Sequence, residues 1–237
     1  MCTPNASGLL DLWESGSNLS SPQRSLALLT LAHPQARHDE LTALSLGRRD
    51  ALLLCLRERL FGAKLDFVAT CPACASIVES GLDIARLQVD PPTPEPQMLQ
   101  VGERSLTFRS PTLGDLLGLP IDPAAARFAL VSRCLVNDTS DSAAEPLPAR
   151  VIDAISAAMS AADPAADAEL ALDCPGCGQR WQIGFDIASF LWREIDTWAR
   201  RTLRDVHTLA RAYAWREQDV LAMSPTRREM YLELSRA

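Results

Sequence analysis

Four cysteines in two matched pairs, Cys71-Pro72-Ala73-Cys74 and Cys174-Pro175-Gly176-Cys177, are the residues of this chain best placed to do chemistry. Two sulfurs separated by two residues across a tight turn can be aimed at one metal ion. The proline after the first cysteine of each pair fixes the entry to the turn. Gly178, just after the second pair, supplies the positive φ such a turn often needs. Two such pairs make a closed tetrahedral thiolate set, which is a structural zinc geometry with no open position for water. The pairs lie about a hundred residues apart, so a shared ion would clip together two distant stretches of chain. By the loop-closure argument for cross-links, that clip is worth on the order of 4–5 kcal/mol in unfolded-state entropy.

The rival chemistry is two separate redox or disulfide pairs. A redox dithiol usually sits singly at a strand-to-helix junction. Here strand-like runs, Lys64–Thr70 and Glu169–Asp173, precede the pairs, and Ser76–Ser80 and Gln179–Phe185 follow them. A disulfide framework needs an oxidising compartment, and Met1–Gly16 has neither the basic start nor the long apolar run of a secretory signal. Cys55 and Cys134 fall inside apolar helical patterns and read as core, whereas Cys2 lies in a loose tail.

The elements that must position these pairs can be read along the chain. Residues 1–21, rich in Ser, Gly, Pro and Asn, are expected to be a disordered tail. Residues 22–87 hold N-terminal helices, one of them from about Gly47 to Phe61 and stopped by Gly62, followed by the first half of a zinc ribbon. Residues 88–165 form an insert. It opens with a proline-rich linker over 88–96, continues with a hairpin turning at Gly102-Glu103, and adds helices near Leu113–Leu117, Ala124–Val136 and Leu147–Ala162. Residues 166–185 complete the ribbon, and insert and ribbon are expected to behave as one cooperative body.

Residues 186–237 form a C-terminal helical arm. Ile187, Leu191, Ile195, Trp198, Thr202, Val206, Leu209 and Tyr213 recur at steps of three or four and make one apolar stripe. The stripe reads first as core and second as a docking face. Six arginines against three acidic residues over 193–216 make the opposite side basic, for which a solvated helix face is the ordinary reading. The fold class expected is α+β and mostly helical, with a split four-cysteine zinc ribbon, an inserted hairpin-plus-helices subdomain and the C-terminal arm.

The 237 residues, 47% hydrophobic and 22% charged, read as a globular chain with a sizeable core and no run long enough for a membrane span. A net charge of −7, lowered by two more if four thiolates bind one divalent ion, argues against nucleic-acid binding through the overall field. Catalysis finds little support. The chain lacks a phosphate-binding glycine loop, a nucleophile elbow, a paired-histidine metalloprotease helix and a dinucleotide fingerprint. The expectation is that the protein is not an enzyme.

Three stretches together carry a family resemblance. They are the run from Leu44 through Arg48-Arg49-Asp50 to Phe61-Gly62, the two cysteine pairs, and Phe185-Asp-Ile-Ala-Ser-Phe-Leu-Trp192. Asp205-Val-His-Thr-Leu-Ala-Arg-Ala-Tyr-Ala-Trp215, Asp219–Ser224 and Arg227-Arg-Glu-Met-Tyr-Leu-Glu-Leu234 extend the pattern. The chain resembles the baseplate proteins of T-even-type phages, in the zinc-ribbon form found with phage-tail-like contractile injection systems. The likeness covers nearly everything beyond residue 20, with the C-terminal run as its most specific part. It implies a structural zinc on Cys71, Cys74, Cys174 and Cys177. It marks His207, Tyr213, Trp215, Arg227, Arg228 and Tyr231 as a partner-binding signature. It also implies a chaperone-like role in assembling the baseplate hub, with hub, spike or neighbouring baseplate proteins as partners. That work would be done in the cytoplasm of the producing cell. The alternatives are a permanent structural baseplate subunit and a nucleic-acid-binding zinc-ribbon protein. The sequence departs from the expected ribbon at Ala75, where glycine would be favoured, so that turn is expected to be tight or strained.

Overall fold

The computed structural model describes residues 1–87, 90–91, 95–102, 104–138 and 147–236. Much of the proline-rich segment expected over 88–96, and Glu103 of the expected hairpin turn, lie outside the described residues. Helices outweigh strands, as expected for a mixed α+β chain. The chain divides into two compact bodies, Met1–Pro34 with Ala188–Ala237, and Gln35–Ile187.

The body formed by the two chain ends is helical: α1 (Ala6–Ser15), α2 (Ser21–Ala32), and the long helix Ile187–Tyr213 that enters from the other body, followed by Glu217–Leu221 and Pro225–Leu234. The expectation of a disordered tail over 1–21 is corrected by α1. Asn5 accepts the Gly8 N–H at 2.8 Å as N-cap, and Leu9 and Leu10 are buried, so the short polar residues around the cap masked a real helix. Trp13 Nε1–H donates to Asp196 at 2.9 Å, and the Arg24 guanidinium lies 4.5 Å over the Trp192 ring, which fixes the first two helices on the long one. The stripe predicted on the long helix is realised within this body. Leu191, Ile195, Thr202, Val206 and Leu209 are buried and Trp198 and Tyr213 half-buried, while Leu203 is exposed.

In the second body α3 (His38–Thr42) precedes α4 (Leu46–Phe61), which carries Ser45 as N-cap and ends at Gly62 with φ 91°. Leu53, Leu54 and Leu56 are buried. Arg49 and Arg57 of the same helix are buried as well. Arg49 pairs with Asp50 at 2.7 Å, and Arg57 donates to the Gly62 carbonyl at 2.6 Å. Hairpin β1 (Lys64–Thr70) and β2 (Ile77–Asp83) follows α4.

The insert is a sheet of β3 (Gln97–Val101), β4 (Arg104–Phe108) and β5 (Leu135–Asp138), all antiparallel with β4 central, and α5 (Leu113–Leu116), α6 (Pro123–Cys134) and α7 (Ala149–Ala162) complete it. The third strand is a departure from the sequence reading, which ran a helix on to Val136. The helix stops at Cys134, whose carbonyl accepts the Arg109 N–H at 3.0 Å, and Leu135 then pairs with Phe108. Leu106, Phe108, Val131, Cys134, Val151, Ile155 and Met159 make a core of the insert's own. That core contains neither cysteine pair, although insert and ribbon hairpins belong to the same compact body. After α7, the Asp163 carboxylate caps α4 from across the chain by accepting the Gly47 N–H at 2.9 Å. Hairpin β6 (Glu169–Asp173) and β7 (Arg180–Gly184) closes the body, and the long helix, α8 (Ile187–Tyr213), α9 (Glu217–Leu221) and α10 (Pro225–Leu234) complete the chain.

Candidate metal centre

Each cysteine pair sits at the tip of a two-stranded hairpin. In the first, cross-strand pairing runs from Lys64 opposite Asp83 to Thr70 opposite Ile77; in the second, from Glu169 opposite Gly184 to Asp173 opposite Arg180. The strands deliver the chain to Cys71 and Cys174, and the turns between them are built alike. Cys71 N–H donates to the Ser76 carbonyl and Ala75 N–H to the Cys71 carbonyl, both at 2.9 Å. Cys174 N–H donates to the Gln179 carbonyl and Gly178 N–H to the Cys174 carbonyl, again both at 2.9 Å. The residue after the second cysteine takes a left-handed conformation in each turn, with φ 74° at Gly178 and φ 58° at Ala75. Ala75 therefore carries the strain anticipated for a side chain where glycine fits, at about 1–2 kcal/mol.

The tips bring all four sulfurs together, every pair within 4.8 Å. Cys71 Sγ is 3.7 Å from Cys177 Sγ, and Cys74 Sγ is 3.6 Å from Cys174 Sγ. The close contacts thus run between hairpins. With metal–sulfur bonds of ~2.3 Å, the edge of a thiolate tetrahedron is about 3.8 Å, so these separations suit one central ion. Each hairpin contributes one buried and one exposed cysteine: Cys71 and Cys174 are buried, Cys74 and Cys177 exposed. Among the described residues, apolar support in this cluster comes from Val78 and the half-buried Trp181.

The electrostatics also fit a cation. The Ser76 hydroxyl and backbone N–H pull the Cys74 thiol down to about 6. Cys177 has the Gln179 N–H in its favour, yet the neighbouring thiols, Cys74 first, push it up to about 12. Four sulfurs this close cannot all ionise on their own, and a divalent ion at their centre removes that conflict. Ser76 and Trp181 are the members that spacing alone did not reveal. A hydroxyl two residues past a cysteine is the signal that could have found Ser76.

The C-terminal signature residues lie in the other body and only some of them meet. Tyr213 and Trp215 stack at 4.6 Å, and Tyr231 stands edge-on to Trp215 at 4.8 Å and to Tyr213 at 5.9 Å. Ala214, at φ 55°, turns the chain so that Trp215 folds back on Tyr213. Arg227 lies 5.8 Å over the Tyr231 ring. His207 is exposed, and no contact places it in this cluster. Arg228 is buried, with Nη2 3.5 Å from the Met223 carbonyl and Nε without a hydrogen-bond partner among the described residues. Of the six residues the resemblance marked for partner binding, Arg228 is thus the one whose side chain is buried within this body.

The family profile described as T4 bacteriophage base plate protein matches residues 30–192. That span is more than half of the chain and includes all four clustered cysteines. The chain belongs to the T4 bacteriophage base plate protein family. The match stops short of 193–237, so the C-terminal run that carried much of the resemblance in the sequence lies outside it. Within the family match fall the whole second body and the start of α8. No curated protein and no solved structure matches this chain. Membership implies interaction with other baseplate proteins. The four sulfurs supply a site compatible with a metal ion.

Proposed function

We propose that this baseplate-family chain is a non-catalytic, chaperone-like assembly factor for the baseplate hub of a phage-tail-like contractile injection system, acting in the cytoplasm of the producing cell. The observation that carries the reading is the family match over a span holding a closed set of four thiols. Four protein ligands leave no coordination position for substrate or water, which favours a structural ion over a reacting one. Soft thiolates in a near-tetrahedral arrangement favour zinc. Cys71, Cys74, Cys174 and Cys177 would hold it, and its role would be to join two hairpins that are marginal when isolated. The half-buried aromatic cluster of Tyr213, Trp215 and Tyr231, with Arg227 against it, has the composition of a binding hot spot. It supports the C-terminal helices as the element that holds a hub, spike or neighbouring baseplate protein.

The test is mass spectrometry of fully assembled particles beside the soluble fraction of the same cells. Absence from particles, with hub or spike proteins co-purifying from the soluble pool, is the result expected. Stoichiometric presence in particles would replace the assembly role with that of a permanent baseplate subunit. Trp215→Ala should weaken partner capture with metal content unchanged; full capture would remove the aromatic cluster from the docking face.

A further inference from the structure

The exposed side of α8 carries a line of cations. Arg193, Arg200, Arg204 and Arg211 are all exposed, and at 100° per residue they fall within about 40° of one another. The arginines are spaced seven, four and seven residues apart, or about 10, 6 and 10 Å along the axis. Arg200 is held by Asp196 at 2.9 Å, and Arg193 lies 5.9 Å over the Phe190 ring. Arg204 and Arg211 have no side-chain hydrogen bond or ion pair among the described residues. Four arginines in register on one helix, two of them unpaired, exceed what solubility of a single face requires.

We propose that this arginine line docks an acidic helix of a partner protein, lying alongside α8 with carboxylates repeating at the same seven-four-seven steps. A second helix shares the 1.5 Å rise of α8 to within its tilt, so its side chains can meet all four arginines in register. Duplex DNA carries a charge every ~1.7 Å along its axis and gains nothing from the two wide gaps. Single-stranded nucleic acid calls for several aromatic platforms interleaved with the cations; here one gap holds Asp196 and Thr197, whose carboxylate repels a phosphate, and the other holds His207 as its single ring beside Thr208. The proposal rests on the assembly reading for the partner's nature, since it takes that partner to be a baseplate protein.

The experiment uses the full chain and three probes: a helix-stapled peptide with glutamates at seven-four-seven spacing, a scrambled peptide of identical composition, and a short duplex DNA. The expected result is binding of the patterned peptide at least about tenfold tighter than either control, with Arg204→Glu/Arg211→Glu abolishing the difference. Circular dichroism and metal content of that variant should match the parent, because neither side chain bonds to the fold. Equal, steeply salt-dependent binding of all three probes would overturn the proposal in favour of a general polyanion face; no binding of any probe would overturn it outright. Co-expression with the hub and spike proteins separates the two readings. Capture by both the parent and the double variant would leave the assembly role standing and remove the arginine line from it.

Discussion

Replacing Cys174 by serine should remove the clip between the two hairpins. Cys174 Sγ faces Cys74 Sγ at 3.6 Å across 100 residues of chain, and closing a loop of that length restricts the unfolded state by about 4.7 kcal/mol. Little else would compensate, since among the described residues only Val78 and Trp181 add apolar side chains to the cluster with the thiols. The full effect should therefore reach about 4–5 kcal/mol for the metal-loaded protein, and the metal-free parent should behave like the variant. Urea unfolding with and without a chelator measures the energy, and elemental analysis measures the ion. Hydrogen exchange then locates the loss. Amides of β1, β2, β6 and β7 should lose protection, while those of α6, α7 and β4 around Phe108 and Ile155 keep theirs, because that cluster is separately built. Stoichiometric metal in Cys174→Ser, or a stability loss below about 1 kcal/mol, would refute the reasoning that one ion is shared across the loop.

The two turns differ at one position, which makes them a matched pair for testing strain. Ala75→Gly should stabilise the metal-loaded protein by about 0.5–1 kcal/mol, and Gly178→Ala should cost about 1 kcal/mol, both read from unfolding midpoints. In the insert, the Arg109 guanidinium donates to Asp115 at 2.8 Å, and the Thr112 N–H and hydroxyl also donate to that carboxylate. Burial alone would raise Asp115, but these donors win and hold it at about 2. Its folded value is thus depressed, so its stabilisation is complete above about pH 4 and is lost as pH falls through about 2. Allowing for the one-third exposure of Arg109, Asp115→Asn should cost about 1–2 kcal/mol at pH 7 and much less at pH 2, measured by urea unfolding at both.

The four-cysteine cluster was legible because its information is local. Residue type and a two-residue gap specify each turn, the flanking strands alternate visibly, and the only long-range step is that two like turns share one centre. The long helix was legible for a related reason, since a stripe at steps of three and four survives any tertiary arrangement. Where the reading failed, the deciding contact lay elsewhere in the chain. β5 exists because Phe108 and Thr107 offer Leu135 and Asn137 an edge to pair with, which no window around Val136 contains. The helix Ala6–Ser15 depends on Asp196, a partner 183 residues away from Trp13. Arg228 stands among polar neighbours in the chain, and its burial, with Nη2 near the Met223 carbonyl, is set by the fold.

Dividing one four-thiol centre between hairpins a hundred residues apart has a consequence for synthesis on the ribosome. Cys71 and Cys74 emerge first, and Cys174 follows Cys74 by 100 residues. At about 5–20 residues per second, the first dithiol waits roughly 5–20 s for its counterpart. During that interval it is half of a site, able to hold an ion loosely or to be oxidised, while the insert with its separate core has time to fold. If the four thiols share one ion, the order of emergence would make the supply of metal and of reductant during translation, rather than afterwards, the condition under which the two hairpins are joined.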